Sequence, residues 1–115
     1  GFPYDRLEFG EQYIQTFLSI LKTTGGVRRF GSAALDVCGV VDNKFDAYYE
    51  FFIKPWDTLG ASLILKEAGG LVVDEHEAFP TLSSNLIIAT NKNIHNEFKS
   101  LILENIDPEL LKRFK

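Results

Sequence analysis

Arg28–Gly70 reads RRFGSAALDVCGVVDNKFDAYYEFFIKPWDTLGASLILKEAGG, and its reading decides the fold. Gly31-Ser32 opens Ala33–Val41, a run so small and apolar all round that a helix there belongs between layers. Ser32 is placed as its N-cap, since a hydroxyl accepts one of the backbone N–H groups that a helix start leaves unpaired. Asp42-Asn43-Lys44 turns the chain. Phe45–Ile53, aromatic-rich and free of Gly and Pro, has the pattern of a strand. Alternation puts Phe45, Ala47, Tyr49, Phe51 and Ile53 on one face, and Asp46, Tyr48, Glu50 and Phe52 on the other. Lys54-Pro55-Trp56 breaks the strand. A third, broadly apolar helix (Leu59, Ala61, Leu63, Leu65, Ala68) follows, with Asp57 or Thr58 as cap and Gly69-Gly70 at its end.

Working outward, Ile14, Phe17, Leu18 and Leu21 recur at helical spacing and predict an amphipathic helix with that face inward, stopped by Gly25-Gly26. Val27–Phe30 reads as a short strand. Beyond Gly70 come a strand over Leu71–Asp74, a polar loop over Glu75–Ser84 and a buried strand over Asn85–Thr90. A fourth helix turns Ile94, Phe98, Leu101 and Ile102 inward. Asp107-Pro108 starts a last short helix to Lys115. Strands alternating with helices predict one layered α/β domain over 1–115. It is a mixed sheet with packed helices, with right-handed crossovers where neighbouring strands run parallel.

At 115 residues, 45% apolar and 24% charged, the composition is that of a globular domain. The net charge of −4 argues against nucleic acid as a bulk electrostatic partner. A single cysteine, Cys38, excludes an internal disulfide and fits a reducing compartment. No apolar run approaches membrane-spanning length, so the expected location is the cytoplasm. The chain begins at Gly1 and contains no methionine, which leads us to expect a fragment or processed chain.

Three places offer chemistry. The helix start Gly31-Ser32-Ala33 presents free N–H groups suited to a phosphate, hydroxyl or carboxylate, although close packing alone also asks for small residues. Asp57, on a rigid strand-to-helix corner, suits either a hard divalent cation or the capping of the next helix, and local pattern favours the cap. Glu50 is an acid among aromatics. It needs a partner such as Arg28 or Arg29, or faces a cleft where it accepts hydrogen bonds from substrate hydroxyls. Either arginine also suits an anion. Asp36 reads as a structural acid, Cys38 as a small core residue, and His76 and His95 as surface. There is no P-loop, dinucleotide fingerprint or nucleophile elbow.

Taken together, Gly31-Ser32-Ala33-Ala34-Leu35-Asp36, Tyr48-Tyr49-Glu50, Pro55-Trp56-Asp57 and Glu67-Ala68-Gly69-Gly70 resemble, in order and spacing, the carboxyl-terminal half of the inositol monophosphatase family. The opening GFPYD is similar to bacterial members. The resemblance implies the α/β carboxyl-terminal domain of the sugar-phosphatase fold. It further implies a Mg²⁺-dependent, lithium-sensitive phosphomonoesterase acting on a small sugar or polyol phosphate, in which metal ions activate a water. By motif it implies that Asp57 is a metal ligand beside the substrate. Gly31, Ser32 and Ala33 would contact ring hydroxyls, Glu50 would hydrogen-bond one of them, and Arg28 would touch substrate.

The family's amino-terminal half, with its DPIDGT-type signature and preceding glutamate, is absent here. The expected partner is therefore that half of the same enzyme, and the chain alone is expected to be inactive. Smaller departures are Thr58-Leu59-Gly60, where a small apolar run is usual, and Glu75–Ala78, where a Gly turn is usual. The resemblance also implies a homodimer. It leaves open a preference for 3′-phosphoadenosine 5′-phosphate or fructose 1,6-bisphosphate. It leaves open as well a non-catalytic role with the transcription and RNA-processing machinery, as some bacterial relatives have.

Overall fold

The structure, a computed structural model, describes residues 9–107 and 109. Helix α1 (Gly10–Thr23) leads, through an irregular stretch, to α2 (Ala33–Val41) and strand β1 (Ala47–Phe51). A single 3₁₀ turn, Pro55–Asp57, precedes α3 (Leu59–Glu67), and then come β2 (Leu71–Val73), β3 (Leu86–Thr90) and α4 (His95–Leu103). The three strands form one sheet in the order β1-β3-β2. Both pairings are antiparallel, with Tyr49 opposite Ile88, Glu50 opposite Ile87 and Val72 opposite Ala89.

Every residue of the central strand β3 is buried, and its alternation feeds two cores. Leu86 and Ile88 pack with Phe9, Ile20, Phe51, Phe98 and Ile102 under α1 and α4. Ile87 and Ala89 pack with Val37, Val40, Ala61, Leu65 and Val72 under α2 and α3. The predicted packing of helices on a sheet is thus present, with helices on both faces. Among the described residues no helix is long and apolar enough to cross a membrane.

Four local expectations are corrected. Residues 27–30 form no strand. They are bracketed by Gly26 and Gly31, both at positive φ, and are anchored by side chains, with Val27 on the α1/α4 core and Phe30 stacked on Phe45. In α1 the buried residues are Thr16 and Ile20, whereas Ile14, Leu18 and Leu21 are each more than 40% exposed. Thr16 is tolerated inside because its Oγ1 donates to the Gln12 carbonyl at 2.9 Å.

The alternation of β1 fails at both ends. Phe52 takes φ 60°, a left-handed conformation rare for a bulky residue, and its N–H donates to the Asn85 carbonyl at 2.6 Å. That kink sends Phe52 to the α1/α4 core and Ile53 to the α2/α3 core, the reverse of strict alternation. At the other end Phe45 precedes the ladder, its N–H held by the Gly39 carbonyl, and packs with α2 and α3. In α3, Ala61, Ser62 and Leu65 point inward, while Leu63 and Ile64 are half exposed. The predicted last helix falls outside the described residues except for Asp107 and Glu109, and the GFPYD opening falls outside them entirely.

Candidate active site

The candidate site is built where β1 ends beside α2 and the Pro55 turn. Within the regular part of β1, Tyr48 and Glu50 are two residues apart and share the face towards α2 and α3. The Tyr48 hydroxyl donates to Glu50 Oε1 at 2.7 Å. Burial pushes the Tyr48 hydroxyl far above its ordinary pKa, and the nearby charges of Glu50, Asp36 and Asp57 add to the effect. These three acids therefore sit close enough to one phenol for each to act on it.

Asp36, in the first turn of α2, is half-buried. Burial raises its pKa, Glu50 raises it further, and Arg29 opposes both. Sequence patterning made Asp36 structural and did not single out Tyr48. The signal for Tyr48 was available in principle, because a hydroxyl and an acid at i and i+2 of one strand share a face.

Asp57 closes the 3₁₀ turn, its N–H bonded to the Lys54 carbonyl at 2.9 Å. Local pattern favoured a capping role, yet the cap position of α3 is Thr58, and no side chain there bonds the helix start. Among the described residues the exposed Asp57 carboxylate makes no hydrogen bond or ion pair. Pro55 fixes the turn through its own φ and is buried.

Gly31-Ser32-Ala33 forms the start of α2. Ser32 is its N-cap and accepts from the Leu35 N–H at 3.4 Å. Gly31 has φ 82°, which glycine adopts without strain. Arg28 is exposed and donates from Nη1 to the Val27 carbonyl at 2.9 Å. The guanidinium whose charge reaches Asp36 is that of Arg29.

Among the described residues no three His, Cys, Asp or Glu side chains converge as a metal ion requires. The residues described therefore do not by themselves build a metal centre. Asp57 offers one hard oxygen ligand and Glu50 an acceptor for hydroxyl hydrogens.

The model of the inositol monophosphatase family matches residues 5–108. The chain belongs to the inositol monophosphatase family. Its relatives carry two kinds of name. Over 103 residues it is 39% identical to the inositol-1-monophosphatase of a Synechocystis species, a match covering 89% of this chain and 36% of that one. Over 106 residues it is 35% identical to the putative Nus factor SuhB of Neisseria meningitidis serogroup B, covering 92% of this chain and 41% of that one. Among solved structures, an inositol monophosphatase from Anabaena superposes with a TM-score of 0.81 at 36% identity, over 94% of this chain and 42% of that one. The architecture is that of the inositol monophosphatase fold, and the chain spans about two fifths of the length of these relatives.

Proposed function

We propose that this chain is the substrate-side part of a Mg²⁺-dependent phosphatase that hydrolyses a small polyol or sugar phosphate of the inositol 1-phosphate type. The supporting observation is that Asp57, uncapped and exposed on a rigid turn, bears on the same phenol that holds Glu50. In this reading Asp57 donates one carboxylate oxygen to the metal and lies beside the phosphate. Glu50 accepts a hydrogen bond from a substrate hydroxyl, and the α2 start at Gly31, Ser32 and Ala33 lies against the ring hydroxyls. Arg28 makes an outer contact with substrate. When bound, Mg²⁺ would polarise the phosphate and lower the pKa of a water for attack.

The remaining ligands must come from outside the described residues, which makes the rest of a longer polypeptide the first partner. The exposure of Leu35 (70%), Leu63 and Ile64 (both 53%) on α2 and α3 supports this partner, because these helices carry apolar residues on the side away from the sheet as well. The chain on its own is accordingly inactive. A homodimer is the proposed assembly and the cytoplasm the proposed location.

The test is Asp57→Asn in the full-length polypeptide that carries this chain. Hydrolysis of inositol 1-phosphate should fall by about a hundredfold or more, in line with loss of a group that stabilises transition-state charge. Wild-type turnover would remove Asp57 from the metal. A panel including 3′-phosphoadenosine 5′-phosphate and fructose 1,6-bisphosphate fixes the preferred ester.

The relative named as a putative Nus factor favours a second reading, a non-catalytic partner of the transcription machinery. Retention of RNA polymerase by the Asp57→Asn protein in a pull-down, equal to that of wild type, would support it.

A further inference from the structure

We infer that Tyr48 is a positioning residue for Glu50, setting the carboxylate in the one orientation that recognises a polyol hydroxyl. The inference rests on the Glu50 role proposed above. Its basis is geometric: the Tyr48 hydroxyl donates to Glu50 Oε1 at 2.7 Å, between two side chains on the same strand face.

Three features separate this contact from an incidental one. First, the Tyr48 ring is held by packing in the α2/α3 core, so the hydroxyl is delivered from a fixed point. Second, tyrosine reaches that point with only two side-chain torsions, leaving little freedom to lose when the bond forms. Third, the hydroxyl has no choice of role. Burial and the charges of Glu50, Asp36 and Asp57 all resist its ionisation, so it stays an O–H donor throughout the working pH range.

A carboxylate has about four acceptor sites on two oxygens. A bond from Tyr48 to Oε1 therefore fixes the plane of the group without exhausting its capacity. A glutamate side chain otherwise has three torsions to search, and a hydroxyl acceptor that wanders discriminates poorly between ring positions. The neighbours sharpen the need. Asp36 and Glu50 repel one another, and the Tyr48 hydroxyl places a donor on the Glu50 carboxylate that offsets the repulsion.

The test uses the full-length polypeptide carrying this chain, with Tyr48→Phe, Glu50→Gln and the double variant. Two substrates are compared: inositol 1-phosphate, rich in hydroxyls, and p-nitrophenyl phosphate, which has none besides the phosphate. Phe fills the same place in the core but cannot donate. Tyr48→Phe should raise KM for inositol 1-phosphate about three- to tenfold, the loss expected when one ordinary hydrogen bond, worth about 1 kcal/mol, is removed. It should leave kcat, and both constants for p-nitrophenyl phosphate, near wild type. In the double variant the Tyr48 change should add nothing to Glu50→Gln, because one acts through the other.

An equal loss on both substrates means that Tyr48 only supports the fold, and overturns the inference. So does a selectivity change in Glu50→Gln with none in Tyr48→Phe, an outcome that leaves the Glu50 role standing. Unchanged selectivity in Glu50→Gln removes the Glu50 role itself, and the inference with it. Should Tyr48→Phe fold poorly, Glu50→Asp draws the carboxylate back from the hydroxyl. Retained selectivity in that variant overturns the inference equally well.

Discussion

Thr90 Oγ1 and His95 Nδ1 lie 2.8 Å apart in the buried joint where β3 hands the chain to α4. Sequence spacing put His95 on a polar helix face, yet it is only 6% exposed. Burial holds the imidazole below its ordinary pKa, Lys99 adds to this, and Glu77 opposes it. The unfolded chain therefore takes up a proton near pH 6.5 while the folded chain still resists it. Stability should be intact above that pH and decline as pH falls below it. Urea titrations at pH 7.5 and 5.0 should show this decline to be smaller in His95→Gln than in wild type. An equal decline in both proteins would rule out His95 as its source.

The two faces of α1 should respond differently to truncation. Ile20→Ala empties a core site shared with Phe98 and Ile102 and should cost about 2–5 kcal/mol. Leu18→Ala removes a side chain that is 41% exposed and should cost no more than about 1 kcal/mol. Chemical denaturation reads both. A larger loss at Leu18 than at Ile20 would restore the face that periodicity suggested.

Gly39 brings α2 against Phe45. A Cβ at this position would lie 2.4 Å from the Phe45 ring, so ring or helix must shift. Gly39→Ala should destabilise by about 1–3 kcal/mol through overpacking. Gly60→Ala in α3 meets nothing within 4 Å and should stabilise by about 0.5–1 kcal/mol through helix propensity. Thermal melts of the pair decide this, and a shift of the same sign in both would contradict it.

Gly31 is constrained by its backbone alone, for at φ 82° an added Cβ meets nothing within 4 Å. Gly31→Ala should cost about 1–2 kcal/mol from the left-handed conformation, and Gly31→Asn less. A melt in which Ala and Asn are equally harmless would show that the turn relaxes freely.

Much of this molecule was legible from residue order. Ala33–Val41 is the helix that Ser32 and the small residues announced, because cap chemistry is local. The buried strand before Asn91 and the corner at Pro55 followed from equally local cues. What escaped depended on distant chain. Residues 27–30 have strand-like composition but pair with no strand among the described residues, and composition carries no news of neighbours. The α1 face failed because Ile14, Leu18 and Leu21 form as good a stripe as Tyr13, Thr16 and Ile20, and only the position of α4 and β3 selects between them. At the candidate site, motif order pointed to Glu50 and Asp57. The Tyr48–Glu50 pair lay within the alternation of one strand, whereas the link to Asp36 came only once β1 and α2 were set side by side.

The strand order has a consequence for how this chain is made. Among the described residues β1 and β2 do not pair with one another, and each pairs with β3, the last of the three to be synthesised. On the ribosome, Glu50 and Asp57 emerge well before Leu86–Thr90, so for that interval two apolar strand edges wait without a partner. The order of translation thus delivers the shared partner last, and neither pairing of this sheet can form until Leu86–Thr90 has emerged.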